Sequence, residues 1–153
     1  MISNNISKKF LLVDDEPDIT FTIKSMLNDN GFQIYTFNDP ITPLKLYRSN
    51  FYDLVILDIK MPKMDGFELY TKIREKDRQV KICFLTASEM YYEKFRKTRL
   101  VLTKTIGEDY FIQKPINTED LIRRLTSVMD KKWGWEKIEV FHQIILSLPL
   151  PMH

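Results

Sequence analysis

The sequence predicts an α/β fold: a doubly wound, five-stranded parallel sheet with a short C-terminal extension. Three observations lead there. Short apolar runs rich in Val, Ile and Phe, without polar alternation, stand at 10–13, 33–37, 54–57, 82–85 and 110–112, and such runs suit strands covered on both faces. Segments long enough for a helix separate them, and βα alternation joins parallel strands through right-handed crossovers. The 153 residues are 44% hydrophobic and 12% aromatic, which supports one core and one domain.

Each element has its own signal. "FLLV" (10–13) runs into Asp14, Asp15, Glu16 and Pro17. Pro17 suits a first helical turn, and Ile19, Ile23, Met26 and Leu27 make one apolar stripe before a stop at Gly31. "QIYTF" (33–37) is the second strand; Asp39 before Pro40 opens the next helix, with Thr42 as the alternative start because of Pro43. "LVIL" (54–57) leads into Asp58, and Asp65 precedes a third helix on which Leu69 and Ile73 share a face. "ICFL" (82–85) is followed by a helix-like "SEMYYEKFRKTRL" (88–100) and then by an ambiguous stretch. After "YFI" (110–112), Asn117 or Thr118 caps the last crossover helix, whose Leu121, Leu125 and Val128 point inward.

The domain is expected to fill 1–130, and 131–153 to form a tail. There Ile138, Phe141, Ile145 and Leu148 fall on one side of a helix that also carries Trp133, Trp135 and Ile144. Packing on its own domain is expected, since the linker at 130–132 is short. A homodimer element is the alternative, and "LPLPMH" reads as unstructured.

Charge and cysteine usage narrow the function. With 23 basic and 21 acidic residues the net charge is +2, so a dedicated nucleic-acid binder is not expected. The basic run Lys94, Arg96, Lys97, Arg99 and Lys104, with Tyr91 and Tyr92, reads as a solvated helix face. Cys83 alone excludes an internal disulfide and fits a reducing compartment. No apolar run approaches the ~20 residues that span a bilayer, and the few apolar residues near Lys8 and Lys9 are too few for a signal-peptide core. The expectation is a soluble cytoplasmic protein without a membrane partner.

The residues at or just after the strands' carboxyl ends carry the chemistry. Strand one gives Asp14 and Asp15, strand three Asp58, strand four Thr86, and strand five Lys114 followed by Pro115. In doubly wound sheets these ends meet at the ligand crevice. Adjacent carboxylates repel, and hard oxygens gathered this way suit Mg²⁺, which takes one or two protein carboxylates and completes its octahedron with water and phosphate. With the cation bound and Lys114 beside it, the crevice is ready for a phosphoryl group.

"LLVDDEPDI", "LVILDIKMPKMDGFEL", "FLTAS" and "QKPI", in this order and spacing, resemble the receiver domain of two-component response regulators over roughly residues 8–130. The most specific segment is "DIKMPKMDG". The resemblance implies a flavodoxin-like (βα)5 fold and a stand-alone receiver. It implies that Asp58 accepts a phosphoryl group from a histidine kinase, and that Asp15, Asp58 and the backbone carbonyl of Lys60 bind Mg²⁺, with Asp14 acting through water. Lys114 would pair with the phosphoryl oxygens, across a cis bond to Pro115 that fixes its direction. Thr86 would hydrogen-bond to one of those oxygens, next to a small Ala87. Phe111 stands at the aromatic switch position three residues before the lysine, without a hydroxyl. The stretch from Thr86 to Lys114 is longer than the family's, and "KTRLVLTKTIGED" replaces its usual Gly-Ala.

The resulting expectation is a phosphorylation-controlled signalling switch that catalyses only its own phosphorylation and dephosphorylation, and that acts by binding a downstream protein not named by the sequence. Two alternatives compete. A Mg²⁺-dependent aspartyl-nucleophile phosphatase wants a second Asp two residues after the nucleophile, where Lys60 stands. A constitutive protein-interaction module would use the 88–110 region and the tail. Met61 and Met64 read as packing residues, Cys83 as a core thiol, and His142 and His153 carry no role.

Overall fold

The computed structural model describes residues 7–86, 104, 107–132 and 135–147. Five strands form one parallel sheet: β1 (Lys9–Val13), β2 (Gln33–Phe37), β3 (Leu54–Asp58), β4 (Lys81–Thr86) and β5 (Phe111–Gln113), in the order β2-β1-β3-β4-β5. The order reverses between β1 and β3, so the switch point lies where Asp14 follows one strand and Asp58 ends the other. β3 is buried along its whole length, as a central parallel strand should be.

The crossover helices are α1 (Pro17–Asp29), α2 (Ile41–Leu46), α3 (Gly66–Lys76) and α4 (Thr118–Asp130), and the tail forms α5 (Trp135–Leu146). Pro17 opens α1, and Gly31 lies just past its end at φ 88°, a conformation that favours glycine. For α2, the Asp39 carboxylate accepts from the amides of Ile41 and Thr42, so the helix starts between the two positions expected, at Ile41. Asp65 and Asn117 cap α3 and α4 by accepting from Glu68 N and Asp120 N. Leu121, Leu125 and Val128 are fully buried.

Two local expectations need correction. The fifth strand is offset by one residue: Tyr110 ends a 3-10 turn at Glu108–Tyr110, and the strand runs Phe111–Gln113. Lys81, Thr86 and Asp58 extend their strands past the apolar runs because the ladders pair Leu54 with Lys81, Asp58 with Leu85 and Thr86 with Gln113. The helix expected at 88–100, its basic run (apart from Lys104), Ala87, Leu148 and "LPLPMH" lie outside the described residues.

α5 packs on α3. Its Ile138, Phe141 and Ile145 are buried, and Phe141 meets the Tyr70 ring edge-on, 5.2 Å between centroids. Met61, Met64 and Cys83 are buried core residues, and burial pushes the Cys83 thiol up, which leaves it inert at neutral pH.

Candidate functional site

Asp14 lies directly beyond β1, fully buried, with its amide donating to Phe37 O at 3.1 Å. Its Oδ1 accepts from Glu16 N at 2.9 Å, and Asn38 Nδ2 donates to its carbonyl at 2.9 Å. The side chain is thus fixed toward the crevice. Asp58, 4% exposed, ends β3. Lys114 follows β5; its amide donates to Thr86 O at 2.8 Å, which ties β5 to the end of β4. The Lys114–Pro115 bond is cis.

Lys114 organises the charge. Its Nζ stands 2.6 Å from Asp14 Oδ2, 3.3 Å from Asp58 Oδ1 and 3.4 Å from Glu16 Oε1. One ammonium cannot neutralise that many carboxylates. Burial, and then the charge of Asp14, raise the Asp58 carboxyl to about 8 against the pull of Lys114. Burial also raises Asp14 despite its bond to Lys114, and Lys114 is itself raised by its two aspartate partners, which outweigh its burial. A carboxyl held so high in this company is a functional-site signature.

The donor set fits a hard divalent cation. Carboxylate oxygens of Asp14, Asp15 and Glu16 lie within 4.8 Å of one another, and Asp58 interacts with the Asp15 side chain. An added positive charge would offset the burial and the Asp14 repulsion that together raise the Asp58 carboxyl. Glu16 is the residue that sequence reasoning left without a role, although it stands in the same acidic run. Lys60 is the second residue of the loop after β3 and is exposed.

Thr86 ends β4, 2% exposed, and its Oγ1 has no hydrogen-bond partner among the described residues. A buried hydroxyl without a partner costs about 1–3 kcal/mol, so this one is poised for an acceptor. Phe111 is buried and turned inward, stacked on Phe84 at 5.5 Å and 18°.

Gly66 sets how closely α3 begins against the end of β3. Its amide donates to Ile59 O at 2.8 Å. A Cβ there would fall on the carbonyl oxygen of Asp58 and within 2.9 Å of Ile59 Cα. Only glycine lets the start of α3 sit this close under the end of β3, which explains the Asp-Gly pair in "KMDG".

Comparisons with known proteins address the family and the fold. A family model described as the response regulator receiver domain matches residues 10–126. The transcriptional regulatory protein DltR of Streptococcus agalactiae is 32% identical over 117 residues, covering 76% of this chain and 50% of DltR. The chemotaxis response regulator CheY4 of Vibrio cholerae superimposes with a TM-score of 0.64 at 29% identity, covering 80% of this chain and 98% of CheY4. The receiver domain of the sensor histidine kinase PA1611 of Pseudomonas aeruginosa, solved with magnesium in its active-site cleft, shares the fold. Its TM-score is 0.65 at 23% identity, covering 82% of this chain and 99% of that one.

This chain spans about half the length of the curated relatives it matches. Those relatives are named as transcriptional regulators rather than as enzymes, so the expectation that nucleic acid is no partner gains no support. Among the described residues, no helix is long and apolar enough to cross a membrane. The sheet order, the crevice at its reversal and a match that runs from β1 into α4 converge on one conclusion: this chain belongs to the response regulator receiver domains of two-component signalling.

Proposed function

We propose that the chain is a phosphorylation-controlled switch in which Asp58 takes a phosphoryl group from the phosphohistidine of a histidine kinase. The observation that carries this reading is the contact of Lys114 Nζ with both Asp14 and Asp58, beside a Thr86 hydroxyl that lacks a partner among the described residues. One carboxylate oxygen of Asp58 attacks phosphorus in line; the P–O bond forms as the P–N bond breaks, and the leaving imidazole keeps the electron pair and takes up a proton. Such transfer depends on positioning and on charge neutralisation.

Asp15, Asp58 and the backbone carbonyl of Lys60 would hold Mg²⁺, with Asp14 and Glu16 adding negative charge around it. The ion would supply the positive charge that keeps Asp58 ionised and offsets the charge on the phosphoryl oxygens. Lys114 would exchange part of its carboxylate contact for those oxygens. Thr86 would donate to one of them, and Phe111, buried on Phe84, would report the change to the surface. A downstream partner could be a protein or, as the names of the relatives suggest, a DNA-binding segment of a longer chain.

The test is intact mass after incubation with Mg²⁺ and acetyl phosphate. One hydroxylamine-labile phosphoryl group is expected on the parent and none on Asp58→Asn. Equal phosphorylation of the variant would remove Asp58 from the mechanism.

A further inference from the structure

We infer that the C-terminal helix α5 is an intramolecular latch whose docking is linked to occupancy of the carboxylate crevice through the rings of Phe111, Phe84 and Phe141. The inference rests on the proposed function, because it needs a phosphoryl group or its mimic to enter the crevice.

The rings form a continuous path. Phe84 on β4 stacks on Phe111 at 5.5 Å and meets Phe141 of α5 at 6.2 Å. Phe141, 1% exposed, also closes edge-on against Tyr70 of α3. Along a strand, alternate side chains share a face, so Thr86 stands on the same face of β4 as Phe84. The residue that would bind a phosphoryl oxygen and the ring that seats α5 are therefore near neighbours on one surface.

The latch is a two-state element. α5 has 12 residues, and isolated helices of that length are marginal in water. Released from α3, it would unwind rather than swing away intact. Its seat is chiefly apolar and aromatic, from Ile138, Phe141 and Ile145, while the ion pair Arg78–Glu139 spans 3.9 Å between exposed side chains, and such pairs contribute little.

The sign of the linkage follows from Thr86. In the docked arrangement its hydroxyl is buried without a partner among the described residues, a cost that loosening this face would relieve by admitting water. A phosphoryl oxygen satisfies the same hydroxyl without any loosening. Occupancy therefore favours the docked latch, and by reciprocity a weakened latch lowers the affinity for the occupant.

The test uses the full chain with Mg²⁺ and beryllium fluoride, a phosphoryl mimic. Fluorine-19 resonances report binding, and amide exchange reports docking across 135–146. Exchange there is expected to slow at least about fivefold on binding, and Phe141→Ala is expected to bind the mimic more weakly by a like factor. Val140→Ala, on the exposed side of α5, should bind as the parent does. Binding without slower exchange, or undiminished affinity in Phe141→Ala, overturns the latch and leaves the proposed function standing. No binding by the parent overturns both.

Discussion

The two ends of the sheet each bury an aspartate beside a basic side chain, and they are built to opposite purposes. At the amino-terminal end of β4, Asp77 is 5% exposed and accepts from Tyr47 OH at 3.0 Å and from the amides of Asn50, Gln79 and Val80 at 3.2 Å. Its neighbour Arg74 donates to Val80 O, Asp77 O and Tyr70 OH. At the carboxyl end, Asp14 and Asp58 share one ammonium, Asp58 is raised to about 8, and Thr86 Oγ1 lacks a partner among the described residues. Burial alone does not mark a functional cluster. Unmet demand does, because a saturated network has nothing left to offer a ligand.

The largest expected effect separates the two ends outright. Asp58→Asn should lose phosphorylation completely while folding normally, whereas Asp77→Ala should keep it. The latter strands the Tyr47 hydroxyl and backbone amides, at about 3 kcal/mol. For a domain of this size that lowers Tm by about 10 °C. Mass spectrometry and thermal unfolding on both variants check the contrast, and loss of phosphorylation in folded Asp77→Ala would erase it. Gly66→Ala should fail on both counts, since the new Cβ meets backbone rather than a yielding side chain.

The carboxylate end was the more legible of the two in the sequence, for a physical reason. Parallel strands are short apolar runs, so their ends, and the Asp, Thr and Lys there, can be read off directly. The Asp77 network has no such period: it exists only because α2 brings Tyr47 to the end of α3. Gly66 was visible as part of a motif, but its close approach to Asp58 O is a tertiary fact. Tyr110 read as strand because it is aromatic and adjoins Phe-Ile, yet the 3-10 turn takes it. The stripe of α5 was readable, whereas its seat on Tyr70 and Phe84 was not, since periodicity says which face is apolar and not what covers it.

A smaller effect concerns pH. Asp58 moves from 3.8 in the unfolded chain to about 8 in the folded one. Between those values the unfolded state ionises first, so the contribution of this group is full below about pH 4 and is lost as pH rises through about 8. Asp14 shifts in the same direction. In EDTA, denaturant unfolding should show the parent losing stability from pH 5 to pH 8, and Asp58→Asn losing less. Mg²⁺ should restore the parent at pH 8 by mass action on the folded state. Equal slopes for parent and variant would mean that the carboxyl is not held in its neutral form.

The smallest expected effect is the most diagnostic of unmet demand. Thr86→Val keeps the shape and β-branching of the residue and removes a hydroxyl that is buried without a partner among the described residues. At a satisfied site such a change costs stability, because it strands the other partner. Here no partner is stranded, so without a phosphoryl group the variant should be more stable than the parent by about 1 kcal/mol, roughly 3 °C in Tm for a chain of this length. Asp58 should still be phosphorylated, since the Lys114 and Asp14 contacts are untouched. The gain should reverse once the site is phosphorylated, because only the parent can donate a hydrogen bond from position 86. Thermal unfolding of both proteins, before and after acetyl phosphate, reads the crossing. A variant less stable than the parent in both states would show Thr86 to be a satisfied strand-end hydroxyl, and the contrast between the two ends of the sheet would fall at that residue.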